Sequence, residues 1–223
     1  MKIIAYYTDD DIYSQHALLL RKSLEKFGLK YDIEKIETTN WLKATGFKPG
    51  FIENKLKTYN EPLLYVDIDS IFHANIESFF AGIDEDIAVY YTPENELLSG
   101  VIYVKPSERT LRLLELWRDA MKASPDVWDQ RILQQILSNH QEISIYRLPP
   151  EYVFIFDTFR EKYHGLQPVI EHLQASRETK YREKCHSLKY RILGLIGIRP
   201  RVGRLTLSRR KHMQALLNDR NTG

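Results

Sequence analysis

Cysteine is nearly missing from this chain of 223 residues. Cys185 stands alone, which rules out an internal disulfide and a cluster of thiolate zinc ligands. Long apolar runs are missing too, and no segment reaches the length needed to cross a bilayer. The opening residues, Met1-Lys2-Ile3-Ile4-Ala5-Tyr6-Tyr7, lack the long apolar core and small-residue cleavage site of a signal peptide. They read as a first strand, and a cytoplasmic protein is expected. Internal repeats and low-complexity segments are absent, so neither a solenoid nor a disordered linker is indicated. A large charge of one sign is lacking as well, since the formal net charge is only +2. That average conceals two unlike parts. Beyond residue 179 about a dozen Lys and Arg face only Glu183 and Asp219, leaving the earlier part acidic. The expected division is a domain over 1–179 and a basic C-terminal helical extension over 180–223. The extension's cations and its apolar stretch at 192–198 suit peripheral contact with an anionic membrane, at the inner face. A plain helical appendage is the reading preferred to it, because the cations are not confined to one helical face. No aromatic platform interleaves these cations and no nucleic-acid motif is present, so nucleic acid is not an expected partner.

What is present begins with Pro62-Leu63-Leu64-Tyr65-Val66-Asp67-Ile68-Asp69-Ser70, an apolar run that ends in two carboxylates one residue apart. An unbroken apolar run is how a central strand of a parallel sheet reads. Ligands of open α/β sheets bind beyond the carboxyl ends of the strands, where Asp67 and Asp69 emerge. Residues two apart in an extended segment face the same side, so both carboxylates can converge on one cation. Paired carboxylates at the mouth of a buried strand repel one another and are costly to desolvate unless a cation offsets them. Mg²⁺ or Mn²⁺ prefers such oxygens and also bridges phosphates.

Around that strand the pattern is βαβ. Residues 2–7 read as a strand. A helix over 13–27 stops at Gly28, and Tyr31–Ile36 alternates as a second strand. Residues 46–49, Gly-Phe-Lys-Pro, read as a turn before a helix over 51–59 that leads into Leu63–Val66. Short strands follow at Ile87–Tyr91 and 100–104, helices at 110–120 and 128–137, and a late strand at 143–148. The fold class is α/β, a mainly parallel mixed sheet flanked by helices.

Four segments then stand in a telling order: Tyr6-Tyr7-Thr8, Val66-Asp67-Ile68-Asp69, Leu98-Ser99-Gly100-Val101 and Trp128-Asp129-Gln130. Together, over roughly residues 1–180, they resemble the nucleotide-diphospho-sugar transferases of the GT-A fold. The resemblance implies a glycosyltransferase that uses a nucleoside diphosphate sugar, a UDP-sugar favoured, and a hydroxyl acceptor on a glycan, lipid or small molecule. It implies that Tyr6, Tyr7 and Thr8 hold base and ribose, with Asp9-Asp10-Asp11 accepting from ribose hydroxyls or capping the next helix. Asp67 and Asp69 match the family's Asp-x-Asp, which binds Mn²⁺ or Mg²⁺ on the donor diphosphate. Lys48 is placed like a basic residue that contacts donor phosphates in some relatives.

Ser99-Gly100 is similar to the family's small-Gly step beside the donor sugar, although Leu98 stands where several relatives carry asparagine. Asp129 and Gln130 are similar to the acidic-Gln motif near the anomeric carbon or acceptor, and are the candidate catalytic pair. Glu171-His172 resembles the C-terminal histidine segment that returns to the metal, with His172 as third ligand, His164 as its rival, and Arg177 as a phosphate contact. This segment departs from the usual form by having Gln174 or Ala175 where glycine is expected. Two other functions remain open at this point. One is a haloacid-dehalogenase-like phosphohydrolase, whose Asp-x-Asp also ends a buried strand. The other is a non-catalytic GT-A-like domain that binds through the basic extension.

Overall fold

Strand β3 (Leu63–Val66) buries all four of its side chains, and the rest of the fold is arranged to cover them. The structure is a computed structural model and describes residues 1–37, 41–185 and 201–218. The apolar stretch expected at 192–198 lies outside the described residues. On one edge β3 pairs in parallel with β1 (Lys2–Thr8), and on the other antiparallel with β6 (Leu97–Val104). With β2 (Tyr31–Ile36), β5 (Ile87–Tyr91) and β7 (Ile145–Arg147) they form a six-stranded sheet of order β2-β1-β3-β6-β5-β7. Three of its five pairings are parallel, which is the mixed, mainly parallel sheet the sequence indicates.

Alternation along β3 sends Leu64 and Val66 to one face and Leu63 and Tyr65 to the other. Helix α1 (Asp11–Lys26) packs Ala17, Leu20 and Leu24 onto the first face. The second is covered by α2 (Trp41–Tyr59), α4 (Glu108–Ala123) and α5 (Asp129–Asn139), through Phe51, Ile52, Leu56, Leu113, Trp117 and Leu133. Each large apolar side chain buried this way contributes about 1.5–3 kcal/mol.

The element boundaries differ from the sequence pattern in instructive ways. Helix α2 begins ten residues before the expected 51, at Trp41, and runs through Pro49. The Gly-Phe-Lys-Pro segment is therefore helical rather than a turn, at the cost of the backbone bond that proline cannot donate. Helix α1 is capped by Asp10, which accepts from the amides of Ile12 at 2.9 Å and Tyr13 at 3.0 Å. Past its end, Gly28 takes φ +65 as the expected stop.

A second sheet, invisible to periodicity because its strands are two or three residues long, joins β4 (Ser70–Phe72), β9 (Ile170–His172) and β8 (Phe154–Ile155) in the order β4-β9-β8. It pairs Ser70 with His172 in register. Short helices α3 (Glu77–Ala81) and α6 (Phe159–Lys162) sit in the connections, and α7 (Ala175–Cys185) leaves directly from β9. The described part of the basic extension is a helix, α8 (Arg201–Asn218), whose Met213 is buried with Leu19, Ile71, Phe156 and Leu173. Among the described residues no helix is long and apolar enough to cross a membrane.

Candidate active site

Three ligand-type side chains converge just past the carboxyl end of β3. One ligand atom from each of Asp67, Asp69 and His172 lies within 4.8 Å of the others. The two aspartates arrive because β3 ends just before them and β4 begins just after. His172 arrives from about a hundred residues away because β9 pairs with β4. Its Nδ1 is 3.2 Å from Ser70 Oγ and 3.7 Å from Asp69 Oδ1. Its Nε2 is buried without a hydrogen-bond partner among the described residues. Two carboxylates and an imidazole with an unspent nitrogen fit an Mn²⁺ or Mg²⁺ ion. His164, the rival ligand, is exposed and outside this cluster.

The backbone is shaped to the same end. Asp67 N–H donates to Gly100 O at 2.9 Å, so β6 runs close beside the cluster. A β-carbon on Gly100 would stand 3.1 Å from His172 Cε1 and 3.3 Å from Asp67 Oδ2, so a side chain here would press on both residues. Asp69 Oδ2 accepts from the Ala175 amide at 2.7 Å, and Asp69 O from the Leu173 amide at 2.9 Å. Burial works against ionising Asp69, but His172, His16 and the Ala175 amide together hold its carboxyl below the ordinary value.

Behind Asp67 lies a buried polar network. Lys48 Nζ is 2.7 Å from Asp129 Oδ2 and 3.4 Å from Asp67 Oδ1, and donates to both Ser99 O and Ser99 Oγ at 3.1 Å. Ser99 Oγ in turn donates to Asp129 Oδ2 at 2.9 Å. Burial opposes the charge on Lys48, but Asp129 and Asp67 outweigh it and raise the ammonium above its ordinary value, so it stays a cation. Lys48, Asp67, Ser99, Gly100 and Asp129, five of the residues singled out in the sequence, are thus brought to one place by α2, β3, β6 and α5. Gln130 follows Asp129 on α5, half-buried.

The remaining candidates lie around this centre. Tyr6 puts its ring into the core against Phe51, Phe47 and Tyr65, at centroid distances of 5.1, 5.4 and 5.9 Å. Tyr7 and Thr8 are half-buried at the end of β1, where Thr8 Oγ1 donates to Asp10 Oδ2 at 3.0 Å. Arg177 Nη1 donates to Asp157 Oδ2 at 3.2 Å.

Sequence reasoning passed over Tyr65, whose hydroxyl donates to Asp67 Oδ1 at 2.9 Å. Its place two residues before Asp67 on a strand was the available signal. It also passed over Ser70 and over His16. The latter is buried on α1 with both ring nitrogens lacking hydrogen-bond partners among the described residues. Burial lowers its imidazole, with Asp69 and Glu178 opposing. Neither of these has a local sequence signal.

The family model described as nucleotide-diphospho-sugar transferase matches residues 28–188. No curated protein matches the chain. Among solved structures, the chain is similar to a glycosyltransferase involved in the glycosylation of the major capsid of PBCV-1 (13% identity, 82% of this chain and 98% of that one, TM-score 0.63). It is also similar to the apo form of the glycosyltransferase GlyE of Streptococcus pneumoniae TIGR4 (16% identity, 77% of this chain and 53% of that one, TM-score 0.53). A third is mouse xyloside xylosyltransferase 1 in its apo form (12% identity, 77% and 97%, TM-score 0.53). At these identities the likeness is one of fold.

Proposed function

Because the chain belongs to the nucleotide-diphospho-sugar transferase family, and is a glycosyltransferase, we propose that it moves a sugar from a nucleoside diphosphate donor to a hydroxyl acceptor with the help of a divalent cation. The donor favoured is a UDP-sugar. The acceptor hydroxyl belongs to a glycan, a lipid or a small molecule. Asp67, Asp69 and His172 hold the cation, Mn²⁺ or Mg²⁺. The observation that carries this reading is their convergence within 4.8 Å beside Gly100, a position where a β-carbon would press on both His172 and Asp67. When bound, such a cation neutralises charge on the departing nucleoside diphosphate. The family match speaks against the phosphohydrolase alternative, and the presence of Asp67, Asp69 and His172 in one cluster favours a working transferase over a non-catalytic domain.

The protein's own groups have separable tasks in this reading. Lys48 stands behind Asp67 and Asp129 and offsets their mutual repulsion beside an anionic donor. Ser99 fixes the Asp129 rotamer, and Tyr65 fixes that of Asp67. Asp129 and Gln130 serve the reacting sugar or the acceptor hydroxyl, at the N-terminus of α5. Tyr7 and Thr8, at the end of β1, take the nucleoside, with Tyr6 supporting that end from the core. Arg177, half exposed at the start of α7, is the contact for donor phosphate.

The test is release of nucleoside diphosphate and glycosylated product with and without Mn²⁺. Chelation and Asp69→Ala are each expected to abolish both. Full metal-dependent transfer by Asp69→Ala would overturn the reading.

A further inference from the structure

The turn that follows His172 is gripped from a helix lying beyond residue 188, where the family match ends. In this turn the amides of Leu173 and Ala175 point at Asp69, to its carbonyl at 2.9 Å and to its carboxylate at 2.7 Å. Between them Gln174 has φ +54, a left-handed backbone that costs a residue with a β-carbon about 1 kcal/mol and persists only where neighbours enforce it. The carbonyls of Leu173 and Gln174 accept from one group, Arg209 Nη1 on α8, at 3.5 and 3.0 Å.

Arg209 is 1% exposed. Burying a guanidinium is costly unless it is paired and its donors are used. Its counter-ion is Asp157, with Nε 3.4 Å from Oδ1, within ion-pair reach but not aligned as a hydrogen bond. Asp157 is shared with Arg177. An apolar side chain would fill this space at lower cost, as Met213 does one turn on. What arginine adds is a hold on two carbonyls of the turn that aims an amide at Asp69.

We propose that Arg209 is a positioning residue for the cation site: by gripping the Leu173 and Gln174 carbonyls it fixes the left-handed turn whose Ala175 amide orients the Asp69 carboxylate. The inference rests on the reading of Asp67, Asp69 and His172 as metal ligands. It makes α8 a working part of the transferase rather than an appendage that can be removed.

The experiment compares Arg209→Met, Arg209→Lys and Met213→Ala in the full chain, with Mn²⁺ binding followed by the electron paramagnetic resonance of free Mn²⁺. Amide hydrogen exchange of the segment over 170–177 is followed in parallel. Arg209→Met is expected to weaken Mn²⁺ binding about tenfold or more, as losing an outer-shell partner does, and to speed exchange at Leu173 and Ala175. Arg209→Lys, which keeps the charge but not the fork, should recover part of both. Met213→Ala loosens α8 while leaving both Arg209 bonds to the turn in place, and should lower Tm with a smaller loss of Mn²⁺ affinity and a smaller rise in exchange than Arg209→Met, although Met213 shares its buried cluster with Leu173.

Wild-type Mn²⁺ affinity and exchange in Arg209→Met would overturn the proposal. So would equal losses in Arg209→Met and Met213→Ala at equal loss of stability, since Arg209 would then only dock the helix. A wild-type protein that binds no Mn²⁺ would sink the metal reading alone, and the exchange contrast would still decide whether Arg209 holds the turn. Should Arg209→Met not fold, Arg209→Lys against Met213→Ala separates the same two roles.

Discussion

Lys48 and Asp129 form a buried ion pair, 2.7 Å apart, between α2 and the first residue of α5. The pair spans the mouth of the sheet directly behind Asp67. It converts a lysine that sequence pattern assigns to a turn into the centre of the site's electrostatics.

Removing Lys48 takes away the cation paired with the buried Asp129, which costs about 3–5 kcal/mol, whereas removing Asp129 leaves Lys48 with Asp67, 3.4 Å away. Lys48→Met should lower stability strongly and Asp129→Asn less, since Lys48 keeps Asp67, with the double variant losing well under the sum. A double-mutant cycle by denaturant unfolding measures this. Strict additivity would mean that the two side chains do not pair in solution.

Gly100→Ala separates the site from the fold. The new methyl would need His172 and Asp67 to give by a few tenths of an ångström, at a stability cost of about 1 kcal/mol. Mn²⁺ affinity should fall about tenfold. Titration calorimetry beside a thermal melt checks both, and unchanged metal affinity would place the ion elsewhere.

Asp10 accepts from the amides of Ile12 and Tyr13 and from the Thr8 hydroxyl. Asp10→Ala should therefore cost about 1 kcal/mol through the lost cap, with the donor KM unaltered. A raised donor KM at near-normal stability would instead assign Asp10 to the ribose.

Acid sensitivity should trace in part to Asp86, far from the site. Burial opposes its charge, but the Ser144 amide and hydroxyl and Arg109 prevail and hold the carboxyl below its ordinary value. A depressed carboxylate contributes stability above its unfolded pKa, about 3.9, and loses it as pH falls through the lower folded value. Asp86→Asn should be less stable than wild type at pH 7, with the gap narrowing below about pH 4. A gap that widens in acid would contradict the assignment.

Much of this was legible in the chain because the signals are local. Leu63–Val66 is long enough to read as buried, and Asp67 and Asp69 follow from its phase. The helices α1, α4 and α5 announce themselves by period, and α1 also by its stop at Gly28. His172 was reached only by resemblance, since the strands that deliver it are three residues long and carry no period of their own. Lys48 was misplaced onto a turn because Gly46 and Pro49 ordinarily break helices, whereas here the helix continues and turns the lysine inward. Arg209 gave no signal at all. Nothing in a run of basic residues tells the one that will be buried against Gln174 from those that face solvent.

The central claim is that a donor binds through a cation held by Asp67, Asp69 and His172. The most direct test is thermal-shift binding with Mn²⁺ and a panel of UDP-, GDP-, CMP- and dTDP-sugars, run on wild type and on the Asp67→Ala, Asp69→Ala double variant. The account predicts that one donor, a UDP-sugar first among them, raises the Tm of wild type only when Mn²⁺ is present, and that the double variant does not respond. Equal stabilisation of the double variant, or stabilisation that survives chelation, would contradict it.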